Sequence, residues 1–432
     1  MLDIKFVREN SEIVINNLKK RKDDEKLKLL EVVLQKDQQV REKSQQLEQL
    51  KQRKNSLSQE INAAKKEGKD IQPILKEMKE LPDHVAKLEN ELEMVKKELL
   101  YDLQRLPNIM HATVPYGKDD SENVVVKIVG KVKKQSFEIK SHVELAEALE
   151  IADFSNAAKV AGKGFYYLMG DLALLNQALI RFAVEFLVKK GYTYVEPPYL
   201  IRKAVCDGVT DYEFFKEMIY KIEGEDLHLI ATSEHPLVGM FMNSVIPQEK
   251  LPLKLIGYSA CFRKEIGSHG VDEKGLFRVH QFHKVEQVIF CKPEESWKLH
   301  EELLANSEAL FKALGLPYQV VNVCTGDLGI VAAKKYDLEV FMPRQGKYRE
   351  ACSCSNCTDY QARRLDIKFG IPGMAGNKYV HTLNNTAVAT SRALVAILEN
   401  YQNKDGSITV PKVLVKYMFG KTKIVGSKEK KS

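Results

Sequence analysis

The sequence predicts an α+β protein in which an N-terminal antiparallel helical hairpin precedes a larger mixed body. Apolar residues of the first hundred positions recur at heptad spacing on two segments, and a short polar turn separates those segments. Beyond residue 130, apolar runs of mixed period alternate with turn signals. The chain therefore combines a helical arm with a globular region built from both strands and helices.

Length and composition describe a globular chain with a weak preference for anionic partners. Its 432 residues suggest two or three domains, and 44% of them are hydrophobic while 29% are charged. The 66 lysines and arginines against 59 aspartates and glutamates give a net charge of +7, too little for a protein that coats nucleic acid. No apolar run approaches the ~18 residues of a membrane span, so no membrane partner is expected.

The cellular compartment is predicted from the N-terminus and the cysteines. The opening residues, MLDIKFVREN, carry early charges and lack the apolar stretch of a secretory signal. Seven cysteines, an odd number in a long chain, argue against a disulfide framework and for a reducing environment. The sequence therefore predicts a cytoplasmic protein.

The helical arm is predicted between residues 22 and 105, where Lys, Glu, Gln and Leu dominate. The polar turn KKEGKD (65–70) should fold the second helix back onto the first, which gives an arm of roughly 60 Å. Pro82 should kink the second helix or mark a locally re-bonded turn. The apolar seam consists of Val40, Leu47, Leu50, Leu57 and Ile61 on the first helix, and Ile71, Ile74, Met78, Leu81, Val85, Leu88, Leu92, Val95 and Leu99 on the second.

Composition alone leaves two roles open for this arm. A solvated coiled coil can serve as a spacer or a dimerisation element. Alternatively, a basic stripe such as Lys51, Arg53 and Lys54 could contact phosphates.

Composition shifts divide the chain into four parts. Residues 1–105 form an N-terminal domain, 106–130 a linker rich in Pro, Asn, Asp and Gly, 131–420 the body, and 421–432 a basic tail that is expected to be disordered. Helical patterns in the body cover 172–188, 296–314 and 391–401. Strand-like runs cover 194–195, 228–231, 254–261, 279–290 and 318–323.

Several common motifs are excluded. No GxGxxG follows a strand, and the GKT at 420–422 lacks the earlier glycine of a P-loop. Cys352, Cys354 and Cys357 have a spacing that could join a zinc site, but no second ligand pair completes it. No structural zinc is therefore expected.

Four segments place Arg, Glu or small hydroxyl residues where an ordinary core would not favour them. CFRKE (261–265) and RVHQFHKVEQ (278–287) read as two antiparallel strands joined by a long Gly-rich loop, and taken alone they fit a charged surface hairpin equally well. The others are ATSEHP (231–236), EACSCSNC (350–357) and HTLNNTAVATSRALVAILEN (381–400). The last feeds an amphipathic helix with Arg392 in its first turn, which opposes the helix dipole and favours an anion-binding role.

Together these segments resemble the signature motifs of class II aminoacyl-tRNA synthetases. GYTYVEPP (191–198) resembles motif 1, FRKE through KVEQ resembles motif 2, and TLNNTAVATSRALVAILEN resembles motif 3. The TSE triplet at 232–234, the CSCSNC segment followed by QARR, and the N-terminal hairpin are the combination of the seryl-tRNA synthetase family. The resemblance extends from MLDIKFVREN to the motif 3 helix.

The resemblance implies a fold and an assembly. The body should be a class II catalytic domain, an antiparallel sheet flanked by helices, in a homodimer built partly by motif 1. The hairpin should bind tRNA across the two subunits, by shape and backbone contacts. The implied activity is serine–tRNA ligation: ATP activates L-serine to seryl-adenylate, and serine passes to the 3′ end of tRNA(Ser), with tRNA(Sec) as a further candidate.

The resemblance also assigns residues to ATP. Arg263 should bridge the serine carboxylate and the α-phosphate, and Arg392 should hold the γ-phosphate; both are the expected catalytic groups, because arginine grips such oxygens bidentately. The Phe282 ring should stack on the adenine, and Glu350 and Ser353 should ligate the Mg²⁺ that accompanies ATP. The full ATP set is Arg263, Lys264, Glu265, Val279, His280, Gln281, Phe282, Glu350, Ala351, Cys352, Ser353 and Arg392.

Serine recognition is assigned in the same way. Glu286 should accept hydrogen bonds from the hydroxyl and the ammonium group of serine. A site with such a buried acceptor rejects alanine strongly, because alanine would leave the acceptor unpaired. Thr232 and Glu234 should complete the ammonium pocket, and Thr386 should contact the side chain. The full serine set is Thr232, Ser233, Glu234, Arg263, Glu286 and Thr386.

Simpler interpretations and departures stand beside these assignments. Arg263 and Glu265 could pair on one face of a strand, and Phe282 could belong to the core. The family's Asn-Gly-Ser lead-in to motif 3 reads Asn384, Asn385, Thr386 here, and Cys352 replaces a serine. Two other functions remain open: a ligase that loads an amino acid onto a carrier protein, and a non-catalytic RNA-binding homologue.

Overall fold

The computed structural model describes residues 1–265 and 275–426, and it divides into two compact units. The first spans Met1–Ile109 and the second Met110–Ser432. Among the described residues, no helix has both the length and the apolar content needed to cross a membrane.

The first unit is a helical hairpin on a small helical base. Its helices are α1 (Ile4–Glu9), α2 (Ser11–Arg21), α3 (Asp24–Lys66) and α4 (Gln72–Arg105). Ion pairs from Lys36 to Asp102 (2.8 Å) and from Lys43 to Glu91 (2.6 Å) fix an antiparallel register between α3 and α4. The predicted hairpin is confirmed.

Two details of the arm concern Pro82 and the basic residues. α4 continues through Pro82, so the proline lies inside the second helix, where the sequence placed it. The proposed basic stripe is largely neutralised, since Arg53 forms hydrogen bonds with Glu77 and Glu60 and Lys51 pairs with Glu89. Two of the three cations are therefore committed to interhelical or same-helix carboxylates.

The second unit contains both helices and strands. Its helices are α5 (His142–Ala148), α6 (Phe154–Ala161), α7 (Gly170–Lys189), α8 (Lys203–Val209), α9 (Tyr212–Phe215), α10 (Glu234–Gly239), α11 (Ser296–Ala313), α12 (Tyr360–Leu365) and α13 (Thr390–Asn400). Its strands are β1 (Val124–Val129), β2 (Ala152–Asp153), β3 (Tyr167–Leu168), β4 (Thr193–Val195), β5 (Leu200–Ile201), β6 (His228–Leu229), β7 (Val245–Pro247), β8 (Leu253–Phe262), β9 (Gln281–Cys291), β10 (Tyr318–Asn322), β11 (Lys334–Met342), β12 (Lys347–Asn356), β13 (Lys368–Gly370), β14 (Lys378–Tyr379), β15 (His381–Ala389), β16 (Ile408–Thr409) and β17 (Lys423–Ile424). Short 3₁₀ helices lie at Asp120–Glu122, Gln248–Lys250, Pro293–Glu295 and Lys412–Met418.

Within the described residues, one large sheet organises this unit, in the order β1-β10-β11-β12-β15-β9-β8-β4. All neighbouring pairs are antiparallel except β4 and β8, which run parallel. The predicted α+β class, an antiparallel sheet flanked by helices, is confirmed.

The two faces of the sheet pack against different helices, and one of them also lines a cavity. Side chains alternate along a strand, so Val285 and Ile289 of β9 join the main core with residues of α7, α11 and α13. Val288 and Phe290 face the other way and pack with α8, α10 and α12. Further along β9, this second face is not covered by helices and lines a cavity.

Two predicted boundaries are wrong in part. The segment 106–130 is not only a linker, because β1 forms the edge of the large sheet by pairing with β10. The tail expected to be disordered begins with β17, which pairs with β16 and buries Ile424. Residues 427–432 of that tail, and most of the Gly-rich loop after Glu265, lie outside the described residues.

Candidate active site

A cavity of about 700 Å³ opens on the second face of the sheet, within the range of small-molecule sites. Strands β9, β11, β12 and β15, the segment that follows β8, and the starts of α10 and α13 contribute its walls. Of the residues assigned from the sequence, the cavity is lined by Thr232, Glu234, Arg263, Glu265, Val279, Phe282, Glu286, Glu350, Ala351, Ser353, Thr386 and Arg392.

The floor of the cavity is the alternating face of β9. Phe282, Lys284 and Glu286 lie two residues apart and therefore point to the same side. Glu286 is 1% exposed and forms an ion pair with Lys284. Thr386 stands opposite on β15, and its Oγ1 donates to Glu286 Oε2 at 3.1 Å. A buried carboxylate with an ordered hydroxyl beside it is suited to measure a small polar side chain.

A second carboxylate closes one end. Glu234 begins α10, and its Oε1 accepts from Gln361 Nε2 at 2.8 Å and from Asn384 Nδ2 at 3.0 Å. Burial, together with the neighbouring Glu286 carboxylate, raises the pKa of Glu234 to about 7. This group can therefore change charge in the physiological range.

Arg263 lies just beyond the end of β8. Its Nε donates to the Ala231 carbonyl at 3.3 Å, and its guanidinium lies 5.2 Å from the centre of the Phe282 ring. β8 ends at Phe262, and Glu265 has a left-handed backbone with φ = 46°. Strand alternation, which would have put Arg263 and Glu265 on one face, therefore does not apply to these two residues. Both side chains nevertheless reach the cavity.

Arg392 approaches from the opposite wall, at the third residue of α13. Its Nη1 donates to the Glu350 carbonyl at 2.7 Å and lies 3.3 Å from the Glu350 carboxylate. Burial would raise the pKa of Glu350, but Arg392, Lys335 and Arg263 hold that pKa below its ordinary value. The Glu350 carboxylate is therefore ionised beside two arginines.

A β-bulge brings Glu350 and Ser353 to the same cavity. Leu338 of β11 pairs with Cys352 and Glu339 pairs with Glu350, which leaves Ala351 as the extra residue of β12. Because a bulge shifts the alternation by one residue, Glu350 and Ser353 both reach the cavity although they are three apart.

The residues here fit a magnesium ion. Glu350 and Ser353 offer a carboxylate and a hydroxyl, and Asp337, the register partner of Ser353, is 4% exposed. Among the described residues, its Oδ1 has no hydrogen-bond partner. Oxygen donors of this kind are what Mg²⁺ takes. Burial raises the pKa of Asp337 to about 7 although Lys335 lies 3.5 Å away.

Five assigned residues do not line the cavity. Ser233 is buried and donates to the Gly257 carbonyl, while the Cys352 thiol contacts the Ala387 carbonyl. The Lys264 amine lies over the Tyr220 ring, and His280 shares a hydrogen bond with the same tyrosine. Gln281 belongs to the opposite face of β9.

Sequence reasoning missed several lining residues. Phe277 and Lys284 lie inside segments that the motifs already contained, and alternation from Glu286 would have indicated Lys284. Asn384 binds Glu234, whereas Asn385 points to the other face and donates to Ser307 of α11 at 2.8 Å. The lining segment 326–332 gave no motif at all.

The three clustered cysteines do not converge. Cys352 contacts the Ala387 carbonyl, Cys354 the His300 carbonyl, and Cys357 the Asn384 amide. In residues 1–265 and 275–426, no group of three or more His, Cys, Asp or Glu side chains could hold a metal ion by protein ligands alone.

Comparison with protein families gives two matches. The tRNA synthetase class II core domain (G, H, P, S and T) matches residues 215–401. The Seryl-tRNA synthetase N-terminal domain matches residues 1–110. The first match covers most of the cavity walls, and the second covers the helical hairpin.

Curated relatives match over nearly their whole length. The serine–tRNA ligase of Methanocella arvoryzae is 54% identical over 421 residues, which are 97% of this chain and 99% of the relative. That of Pyrococcus horikoshii is 49% identical over 437 residues, with 96% of each chain covered.

Solved structures agree with these matches. The seryl-tRNA synthetase of Pyrococcus horikoshii complexed with ATP superposes with a TM-score of 0.95 at 49% identity, covering 99% of this chain and 100% of the other. The cytoplasmic serine–tRNA ligase of Naegleria fowleri in complex with AMP gives a TM-score of 0.89 at 34% identity, with 99% of each chain covered.

Proposed function

The chain belongs to the seryl-tRNA synthetase family, and we infer that it is an ATP-dependent serine–tRNA ligase of class II. It activates L-serine to seryl-adenylate and transfers serine to the 3′ end of tRNA(Ser). The observation that carries this conclusion is that Arg263, Arg392 and Glu286, which are far apart in sequence, line one cavity.

Activation needs alignment rather than a general base, since the attacking carboxylate of serine is already ionised at neutral pH. We propose that Arg263, tethered to the Ala231 carbonyl, holds that carboxylate and the α-phosphate in line. Arg392, held by Glu350, takes the γ-phosphate at the other end. Fixed guanidinium groups at both ends stabilise the charge that develops as pyrophosphate leaves.

The adenine site is proposed between Phe282 and the neighbouring Val279. The Phe282 ring is 8% exposed, lines the cavity and lies 5.2 Å from the Arg263 guanidinium, and the base is proposed to stack on this ring. Mg²⁺, when bound with ATP, would neutralise phosphate charge, and Glu350, Ser353 and Asp337 are the residues that would hold it.

Selection of serine is proposed at the Glu286–Thr386 pair. The hydroxyl of serine can donate to Glu286, and alanine would lack this hydrogen bond to a buried carboxylate. The ammonium group is proposed to lie near Glu234 and Thr232, where a carboxylate balances its charge.

The helical hairpin is proposed to bind tRNA, and the second unit to form a homodimer through the segment resembling motif 1. Apolar exposure supports that interface, since Tyr194, Tyr199 and Leu200 are 38%, 39% and 40% exposed. We further propose that tRNA spans the two subunits. All seven cysteines are free thiols, which supports a reducing compartment such as the cytoplasm.

The proposed function is tested by exchange of labelled pyrophosphate into ATP with each amino acid in turn, followed by charging of purified tRNA(Ser) and tRNA(Sec). Serine-dependent exchange and charging are expected. Exchange driven by another amino acid, or transfer to a carrier protein in place of tRNA, would contradict it. A non-catalytic RNA-binding homologue would show neither reaction.

A further inference from the structure

A buried histidine and a buried glutamate lie behind the cavity wall. His142, the first residue of α5, is 7% exposed, and Glu399, near the end of α13, is 1% exposed. His142 Nδ1 lies 3.3 Å from Glu399 Oε1, and the His142 main-chain N–H donates to the same oxygen at 3.4 Å. His142 lies outside the signature motifs, Glu399 lies near the end of the segment that resembles motif 3, and neither residue lines the cavity.

The histidine also holds the wall itself. The Leu276 main-chain N–H donates to His142 Nε2 at 3.1 Å. Nε2 must therefore be the unprotonated nitrogen, and the ring proton on Nδ1 is directed at Glu399. Gly275 lies so close that a Cβ at its position would stand 2.1 Å from His142 Nε2.

The residues that follow this anchor form part of the cavity. Phe277, Arg278 and Val279 line it directly after Leu276. The Phe277 ring centre lies 5.3 Å from the Arg392 guanidinium and 4.4 Å from the Arg349 guanidinium. Phe277 therefore packs against both guanidinium groups, and its position limits where Arg392 can point.

The glutamate connects the same elements from behind. Arg392 and Glu399 are seven residues apart on α13, so they lie on one helix face two turns apart. Glu399 Oε2 also accepts from the Arg344 main-chain N–H at 3.1 Å, in the turn between β11 and β12 that leads to Arg349. One buried pair thus ties α5, α13, the β11–β12 turn and the wall at 275–279.

We propose that His142 and Glu399 are positioning residues for ATP: they hold the wall at 275–279 so that Phe277 fixes the guanidinium of Arg392. The inference rests on the proposed function, in which Arg392 grips the γ-phosphate. Its consequence is selective, because Glu286 and Thr386 of the serine pocket pair on β9 and β15, whereas the hydrogen bonds of His142 and Glu399 described above lead to Leu276 and Arg344.

Two substitutions at position 142 separate the contacts. His142→Gln can place an acceptor near the position of Nε2 and keep the Leu276 N–H satisfied. His142→Asn keeps a donor for Glu399 but cannot reach Leu276, and a buried N–H left unpaired should let the wall shift. We expect His142→Asn to raise KM for ATP in pyrophosphate exchange about tenfold, with KM for serine within about twofold of wild type. His142→Gln should restore KM for ATP to within about twofold.

His300→Asn is the matched control, since His300 is 1% exposed, makes one hydrogen bond to the Cys354 carbonyl and lies outside the cavity lining. The inference is overturned if KM for ATP in His142→Asn does not exceed that of the control, if KM for serine rises in parallel, or if glutamine fails to restore it. Should His142→Asn not fold, Glu399→Gln replaces it with the same expected rise. Wild-type protein without serine-dependent exchange would instead reject the proposed function.

Discussion

The guanidinium of Arg392 donates to the main-chain carbonyl of Glu350 at 2.7 Å while lying 3.3 Å from its carboxylate. The carbonyl contact fixes the arginine to β12 through an atom that no substitution of Glu350 removes. In the proposed function, the cation is therefore positioned before ATP arrives, which reduces the ordering that binding requires.

Replacing Arg392 by lysine should keep the positive charge but remove the planar guanidinium group, which can donate two hydrogen bonds to one phosphate. We expect the rate of serine-dependent exchange to fall on the order of 100-fold. An ammonium group cannot bind a phosphate bidentately and at the same time donate to the Glu350 carbonyl. Steady-state exchange kinetics measure this. Arg363→Lys, which alters an arginine paired with Asp359 outside the cavity, should leave the rate near wild type; equal rates for both variants would contradict the role of Arg392.

Removing the hydroxyl of Thr386 should weaken the recognition of serine without affecting that of ATP. Thr386→Val keeps the shape but leaves Glu286 Oε2 without that donor, so kcat/KM for serine should fall about tenfold while KM for ATP stays near wild type. Exchange assays in which the concentration of serine or of ATP is varied in turn measure these two parameters separately. An unchanged preference for serine over alanine and threonine would show that Thr386 does not shape the pocket.

Serine activation should depend on pH through Glu234. Its pKa is raised to about 7, so the carboxyl group is protonated below that pH and cannot balance the ammonium of serine. As pH rises from about 6 to about 8, kcat/KM for serine should rise about tenfold, since the ionised fraction increases by that factor. Glu234→Gln should be less active and flat over this range. A profile in the variant that matches wild type would assign the titration to another group.

The outer part of the arm can be removed without disturbing its base. Lys43 and Glu91 already pair across the two helices at 2.6 Å, so residues 45–89 can be replaced by a short Gly-Ser turn between 44 and 90. The base cluster, which includes Leu30, Val33 and Leu99, stays intact. Pyrophosphate exchange should persist, and charging of tRNA(Ser) should fall on the order of 100-fold. Near-normal charging would refute a role of the arm in tRNA binding.

The sequence predicted the elements with strong periodicity. The heptad seams around Gly68 defined the hairpin, and alternation placed β8 and β9 close to their observed limits. β1 was missed because its apolar run lies at an exposed sheet edge and follows residues with turn composition. β17 was missed because a short strand in a lysine-rich tail has no local signal that distinguishes it from disorder.

The site was predictable where residue type and motif coincide, and not where geometry decides. Arginines and glutamates at 263, 286, 350 and 392 reach one cavity as expected. The bulge at Ala351, which aims both Glu350 and Ser353 at that cavity, depends on pairing with β11 and cannot be read from β12 alone. Ser233 and Cys352 were assigned by their place in a motif, but both side chains are buried: Ser233, just before α10, donates to the Gly257 carbonyl, and Cys352 of β12 contacts the Ala387 carbonyl.

A crystal structure with a non-hydrolysable seryl-adenylate analogue tests the central claim most directly. We predict that Arg263 contacts the phosphate mimic, that Glu286 accepts from the serine hydroxyl, and that Arg392 faces the space beyond the adenylate where pyrophosphate would lie. An analogue bound outside this cavity, or with its hydroxymethyl group turned away from Glu286, would contradict the account.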